Sequence, residues 1–268
     1  MDAARKKFVW RRAAALAFVI AMGSSPAYAS GQSLIFKIPP VKIPLDIKGQ
    51  HVTVAVSALI TMISKDRGLD VLKLELTADL SDLQQNMTGL LSSELDKDDR
   101  CGDRIAIESA TLTPLDPASL AVVQLHYERW ACAKVFGKQE TKRLIGGNAM
   151  IQMKLTPAVE DSNTELRLMP EVGPIDADGS LGELLRSGTL GEILRDKIRS
   201  AILSAMQKGT DLSTTLPSAV QGYATIQNAQ LKNAGSGRLV VILNGRVQIT
   251  NEQIQALSKQ VKERIASQ

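Results

Sequence analysis

Residues 105–168 carry four apolar-alternating stretches separated by turn chemistry, and this pattern limits the fold more than any other feature of the chain. Ile105 and Ile107 lie on the first stretch. Pro114-Leu115-Asp116-Pro117 reverses the chain into Val123, Leu125 and Tyr127. A three-residue turn, Gly137-Lys138-Gln139, reverses it again into Ala149, Ile151, Met153 and Leu155, and Pro157 to Asn163 leads into Leu166 and Leu168. Pairing Ile105 with Tyr127, Tyr127 with Ala149, Leu125 with Ile151, and Ile151 with Leu168 places every apolar side chain on one face. Glu108, Gln124, His126, Glu128, Asn148, Gln152, Lys154, Glu165 and Arg167 fall on the other. A one-residue slip would invert each strand, so this agreement predicts an antiparallel meander with one dry face and one wet face.

A dry face needs a cover. Residues 180–208 supply helical sequence with an internal echo: Ser180-Leu-Gly-Glu-Leu-Leu-Arg is followed by Thr189-Leu-Gly-Glu-Ile-Leu-Arg. Each copy has capping-box spacing, Ser180 with Glu183 and Thr189 with Glu192. Gly188 breaks the first helix, and Gly209 is a natural stop for the second. The second helix carries an apolar stripe of Leu190, Ile193, Leu194, Ile198, Ala201, Ile202, Ala205 and Met206.

Elsewhere, residues 33–48 form an extended, proline-containing edge segment, with an entry arm over 30–50. Residues 52–63 fit a strand or a short helix equally well. Residues 71–78 alternate as a strand, and 81–95 read as an amphipathic helix with Ser81 and Gln84 at capping-box spacing. A hairpin over 223–249 turns at Asn233–Gly237, and Thr250 and Gln253 cap a terminal helix. The fold class is therefore α+β: a curved antiparallel meander wrapped on a long amphipathic helix, with a C-terminal hairpin and helix.

The chain begins with a cationic run (Arg5, Lys6, Lys7, Arg11, Arg12), an apolar stretch from Ala13 to Met22, and Ala27-Tyr28-Ala29. This is the pattern of a signal peptide cleaved near Ala29. Residues 30–268 are then a single exported domain, periplasmic or secreted. The formal charge of the whole chain is +4, but the 239 residues from Ser30 carry 27 cations and 27 anions. A neutral domain lacks the field that draws nucleic acid or an anionic membrane. Cys101 and Cys132 are the only cysteines, and export suits a disulfide between them. Cys101 would face Ala131 in the register above, and a bulge can absorb that offset.

No catalytic constellation emerges, so the chain reads as no enzyme. There is no Gly-x-Ser-x-Gly elbow. His51 stands far from His126, and His126 reads as a solvated histidine on the polar face. Asp176-Ala-Asp178-Gly179 lacks the later ligands of a calcium loop and reads as a turn. Asn86-Met-Thr88 falls within a helix, which disfavours glycosylation. Neither cofactor nor metal is expected. The aromatic content is 3%, which leaves little bulk to fill an interior rich in Leu, Ile, Val and Met. Such an interior packs solid or leaves an apolar groove for an acyl chain. In the second case Leu125, Ile151, Met153, Leu166 and Leu168 form the sheet wall, and Leu194, Ile198 and Ile202 the helix wall.

The order of leader, helix, four-strand meander, long helix and closing hairpin over about residues 70–250 resembles one module of the tubular lipid-binding (TULIP-like) superfamily. That resemblance implies a sheet curved around the helix, lipid in the apolar tube and a part in envelope lipid transport. It implies a short groove or association of two copies. The other reading is a periplasmic scaffold or envelope-assembly module, working through the sheet edge or the Pro39–Pro44 arm. The partners are thus lipid or another apolar ligand, with an envelope protein or a second copy as further partners.

Overall fold

A computed structural model describes residues 34–47, 49–66, 68–96, 101–135, 138–159, 166–210, 220 and 222–266. The expected signal peptide, the 160–165 connection and Glu165 lie outside the described residues. Strands β1 (Ile35–Ile47), β2 (Gln50–Asp66) and β3 (Leu69–Asp79) lead into α1 (Ser81–Leu95). The meander follows as β4 (Gly102–Leu115), β5 (Ala118–Val135), β6 (Lys138–Val159) and β7 (Leu166–Ala177). Then come α2 (Gly179–Ser187), α3 (Thr189–Thr210), β8 (Ala224–Asn233), β9 (Leu239–Ile249) and α4 (Asn251–Ala266). The class is α+β with antiparallel sheets, and Ser33–Gln268 make one unit.

Among the described residues, nine strands divide into two sheets, β1-β2-β3-β9-β8 and β4-β5-β6-β7. The segment 52–63 is strand: it lies within β2, between β1 and β3, and buries Val52, Val54, Val56, Ala58 and Ile60 on alternate positions. β1 is an edge strand, as its prolines require.

The meander keeps its expected faces with a different register. Ile105 pairs with Tyr127 as expected. Tyr127, however, pairs with Gly147, Leu125 with Ala149, and Ile151 with Ile175. The β6–β7 change arises because β6 runs on through Pro157 to Val159, so that Leu168 meets Pro157 rather than Ile151; the reason for the β5–β6 change lies in their connection. Val135 pairs with Lys138, so the connection is shorter than the expected turn. That change alone is an odd shift and would turn β6 inside out. A bulge corrects it: Arg129 pairs with Ile145 and Trp130 with Arg143, which leaves Leu144 unpaired and 60% exposed. Ala149, Ile151, Met153 and Leu155 consequently still point inward.

Helix α1 holds the sheets together. Polar backbone groups on β4 are occupied from it: Thr88 Oγ1 accepts from Ala110 N at 2.9 Å and donates to Ala110 O, and Asp96, just past the helix end, accepts from Ile107 N through Oδ1. Gln84 Nε2 donates to Leu112 O at 2.7 Å, while its Oε1 accepts from Leu239 N of β9 at 2.7 Å. The expected Ser81–Gln84 capping box is not what Gln84 makes; these tertiary partners hold it instead. Helix α3 extends through Gly209 to Thr210. It approaches α1, α2, β7 and β1, and it buries Leu190, Leu194, Ile198, Ala201, Ile202, Ala205 and Met206. Ile193, expected in that stripe, is 44% exposed.

Candidate functional site

Helices α2 and α3 place the echoed sequence against the meander. In each copy the two leucines four apart are buried, Leu181 with Leu185 and Leu190 with Leu194. The glycine after the first leucine admits a backbone carbonyl: a Cβ at Gly182 would lie 2.3 Å from Ala177 O, and one at Gly191 2.0 Å from Leu185 O. Gly147 on β6 likewise lets Leu181 settle on the sheet, since a Cβ there would meet Leu181 Cδ2 at 3.3 Å. The echo is thus a packing device used twice.

This packing brings the first turns of α3 over the ends of β4 and β5. Between them lies a narrow cleft with no room for a water molecule, lined by Asp103, Ile105, Tyr127, Leu190, Ile193, Leu194 and Lys197. Its walls are mostly apolar and its rim is charged. Asp103 is the hub. Its Oδ1 accepts from the Tyr127 hydroxyl at 2.6 Å and lies 3.7 Å from Arg129 Nε, while its Oδ2 lies 3.6 Å from Lys197 Nζ on α3. Burial, and then the hydrogen bond to Asp103 and its negative charge, push the Tyr127 phenol well above its ordinary value. The phenol therefore stays a neutral donor that fixes the carboxylate. Arg129 and Lys197 answer one carboxylate with two cations. The Cys101–Cys132 disulfide, with Cα atoms 5.7 Å apart, clips β4 to β5 beside this rim.

The residues expected to form the two walls are placed as follows. Leu125, Ile151, Met153 and Leu168 are buried on the inner face of the meander, and Leu194, Ile198 and Ile202 are buried on α3. All seven belong to one continuous apolar core. Of the seven, Leu194 lines the cleft. Leu166 lies in β7 opposite Val159, and its side chain falls outside the described residues. Asp103 and Lys197 were not singled out in the sequence, and Tyr127 was read only as a residue of the dry face. A signal existed, because pairing Ile105 with Tyr127 sets Asp103 opposite Arg129. An inward tyrosine also needs a partner for its hydroxyl.

The wet face carries a second cluster. Glu128 accepts from Trp130 Nε1 at 2.8 Å and from Arg143 Nη1 at 3.0 Å, and it lies 3.6 Å from His126 Nε2. His126 Nδ1 is 2.7 Å from Asn148 Oδ1, and the Arg104 guanidinium sits 4.7 Å from the Trp130 ring centre. His126 is therefore held in a network rather than only solvated. Among the described residues no three His, Cys, Asp or Glu side chains are grouped to hold a metal ion. Asn86 Nδ2 and Thr88 Oγ1 are both engaged within the fold, by Asp82 and Ala110. No protein-family model and no curated protein matches the chain.

Proposed function

We propose that the chain is an exported binding protein for an acyl chain or a similar apolar ligand, held between the meander and α3 in the manner of a tubular lipid-binding module. The observation that carries this reading is the cleft beneath α3, with apolar walls and a charged rim. As it stands the cleft has no room for a water molecule, whereas a typical ligand site holds roughly 300–1,000 Å³. Ligand entry therefore requires the first turns of α3 to lift. The Lys197–Asp103 pair resists this weakly, because the lysine is 44% exposed and exposed pairs contribute only about 0–1 kcal/mol. Each methylene taken up returns about 0.8 kcal/mol. Met153 and Met206, buried in the adjoining core, are deformable side chains that adapt to a changed volume. In this reading the meander curves around α3 as the ligand spreads its walls.

The disulfide agrees with an oxidising compartment, periplasmic or extracellular. No helix among the described residues is long and apolar enough to cross a membrane. The test is native mass spectrometry of the exported protein purified from its own envelope, followed by lipid extraction. A bound lipid is expected, and Ile193→Trp, which fills the cleft mouth, should reduce its occupancy at least about tenfold, a loss of 1.4 kcal/mol or more. A clean apo mass under gentle conditions overturns the proposal.

A further inference from the structure

Beyond the cleft rim, the β5–β6 hairpin continues past its neighbours. The β4 pairing with β5 begins at Gly102–Trp130, and the β6 pairing with β7 begins at Ala149–Ala177. Between those limits the two strands pair with each other down to Val135–Lys138. Among the described residues, no other strand pairs with either of them there. The result is a two-stranded ribbon standing out from the sheet. Ala131, Ala133, Lys134, Glu140, Thr141, Lys142, Arg143 and Leu144 are all exposed.

Residues 129–143 hold five cations (Arg129, Lys134, Lys138, Lys142 and Arg143) against a single anion, Glu140. The chain from Ser30 is neutral overall and has no net field toward an anionic membrane, so any attraction must come from a local excess such as this one. Arg129 and Arg143 are already paired with carboxylates at the base of the ribbon. Lys134 and Lys142 lie farther out, opposite Gln139 and Ala131. Lysines along free strand edges oppose pairing with another strand. The same exposed lysines, projecting past the neighbouring strands, suit a negatively charged lipid surface. At the base of the ribbon, Arg129 meets Asp103, which lines the cleft.

We infer that this ribbon docks the protein on an anionic lipid surface, with the cleft at the docked end. The inference deepens the lipid-binding reading, which gives docking its purpose; docking itself does not require an occupied interior. The test is co-sedimentation with vesicles of phosphatidylglycerol and, in parallel, of phosphatidylcholine. Binding is expected to the first only, and is lost at about 1 M salt, where screening acts within about 3 Å. Lys134→Glu with Lys142→Glu should lower the partition coefficient about 25-fold or more, near fivefold for each lysine. Lys37→Glu with Lys42→Glu, the same charge change on exposed positions of β1, should retain binding within about twofold. An intact Cys101–Cys132 disulfide and an unchanged circular dichroism spectrum show that each variant is folded. No vesicle binding, equal binding to both lipids, or undiminished binding by the ribbon variant overturns the inference. Capture of an acidic protein without vesicle binding overturns it too. Because vesicle binding is read without the interior ligand, its failure is distinct from a clean apo mass.

Discussion

Glu128 has a donor on each oxygen, Trp130 on Oε2 and Arg143 on Oε1, and these hydrogen bonds hold its carboxyl below the usual carboxylate range. Gly146 stands opposite it on β6, where a Cβ would come within 3.3 Å of Glu128 Cγ. A carboxylate stabilised by folding contributes its full effect above the unfolded-state value of about 4.3. That contribution is lost as the pH falls through the lower folded-state value. Glu128→Gln should therefore lower stability by about 1 kcal/mol at neutral pH, with the difference closing in strong acid. Urea midpoints of both proteins across the acid range measure it; a constant gap at every pH would assign the loss to packing. The wet side of this cluster was legible in the sequence, because alternation fixes the face of each residue. Its cross-strand partner Arg143 was not, since that contact depends on the shift and bulge of β6.

At the scale of elements, the echoed helix start separates propensity from packing. Gly89 in α1 and Gly191 in α3 are both helical, and alanine is intrinsically better than glycine in a helix by about 1 kcal/mol. A Cβ at Gly89 would meet nothing nearer than Gln50 Oε1 at 3.6 Å, whereas at Gly191 it would meet Leu185 O at 2.0 Å. Gly89→Ala should then raise stability by about 0.5–1 kcal/mol. Gly191→Ala should lower it by about 1–3 kcal/mol, because the backbone clash outweighs the propensity gain. Chemical denaturation of the two variants checks both signs. Sequence spacing announced these helices correctly, but capping boxes were read less well. Thr250 and Gln253 do form one: Thr250 N donates to Gln253 Oε1 at 2.8 Å, and Gln253 N to Thr250 Oγ1 at 3.4 Å. In α2 the helix instead starts at Gly179, behind Asp178, with no side-chain cap bond from that residue. The pattern of a box specifies local chemistry, and tertiary partners such as those of Gln84 can claim the same atoms.

For the molecule as a whole, alternation identified strands but not distant neighbours. The β3–β9 pairing joins residues 70–79 to 240–249, and nothing in the local period of either strand names the other. The two sheets meet where Leu231 N of β8 donates to Pro117 O and Asn233 N donates to Asp116 Oδ1 at the β4–β5 turn. The opposite end of the β4–β5 pair is closed by the Cys101–Cys132 disulfide, across a sequence separation of 31. Chain entropy assigns such a closure about 3–4 kcal/mol, so replacing both cysteines with serine should lower stability by that amount. The location of the disulfide adds a spatial expectation. Only the start of β4 and the base of the β5–β6 ribbon lose their tether, whereas β3 and β9 keep every backbone partner. Amide exchange should therefore quicken most at Asp103, Ile105 and Arg129, around the cleft rim, and at Leu74, Leu76 and Leu243 only by as much as global unfolding becomes easier. Uniform quickening across both sheets would instead mean that the disulfide acts only on the unfolded chain, and the rim would then owe its order to the Asp103 network alone.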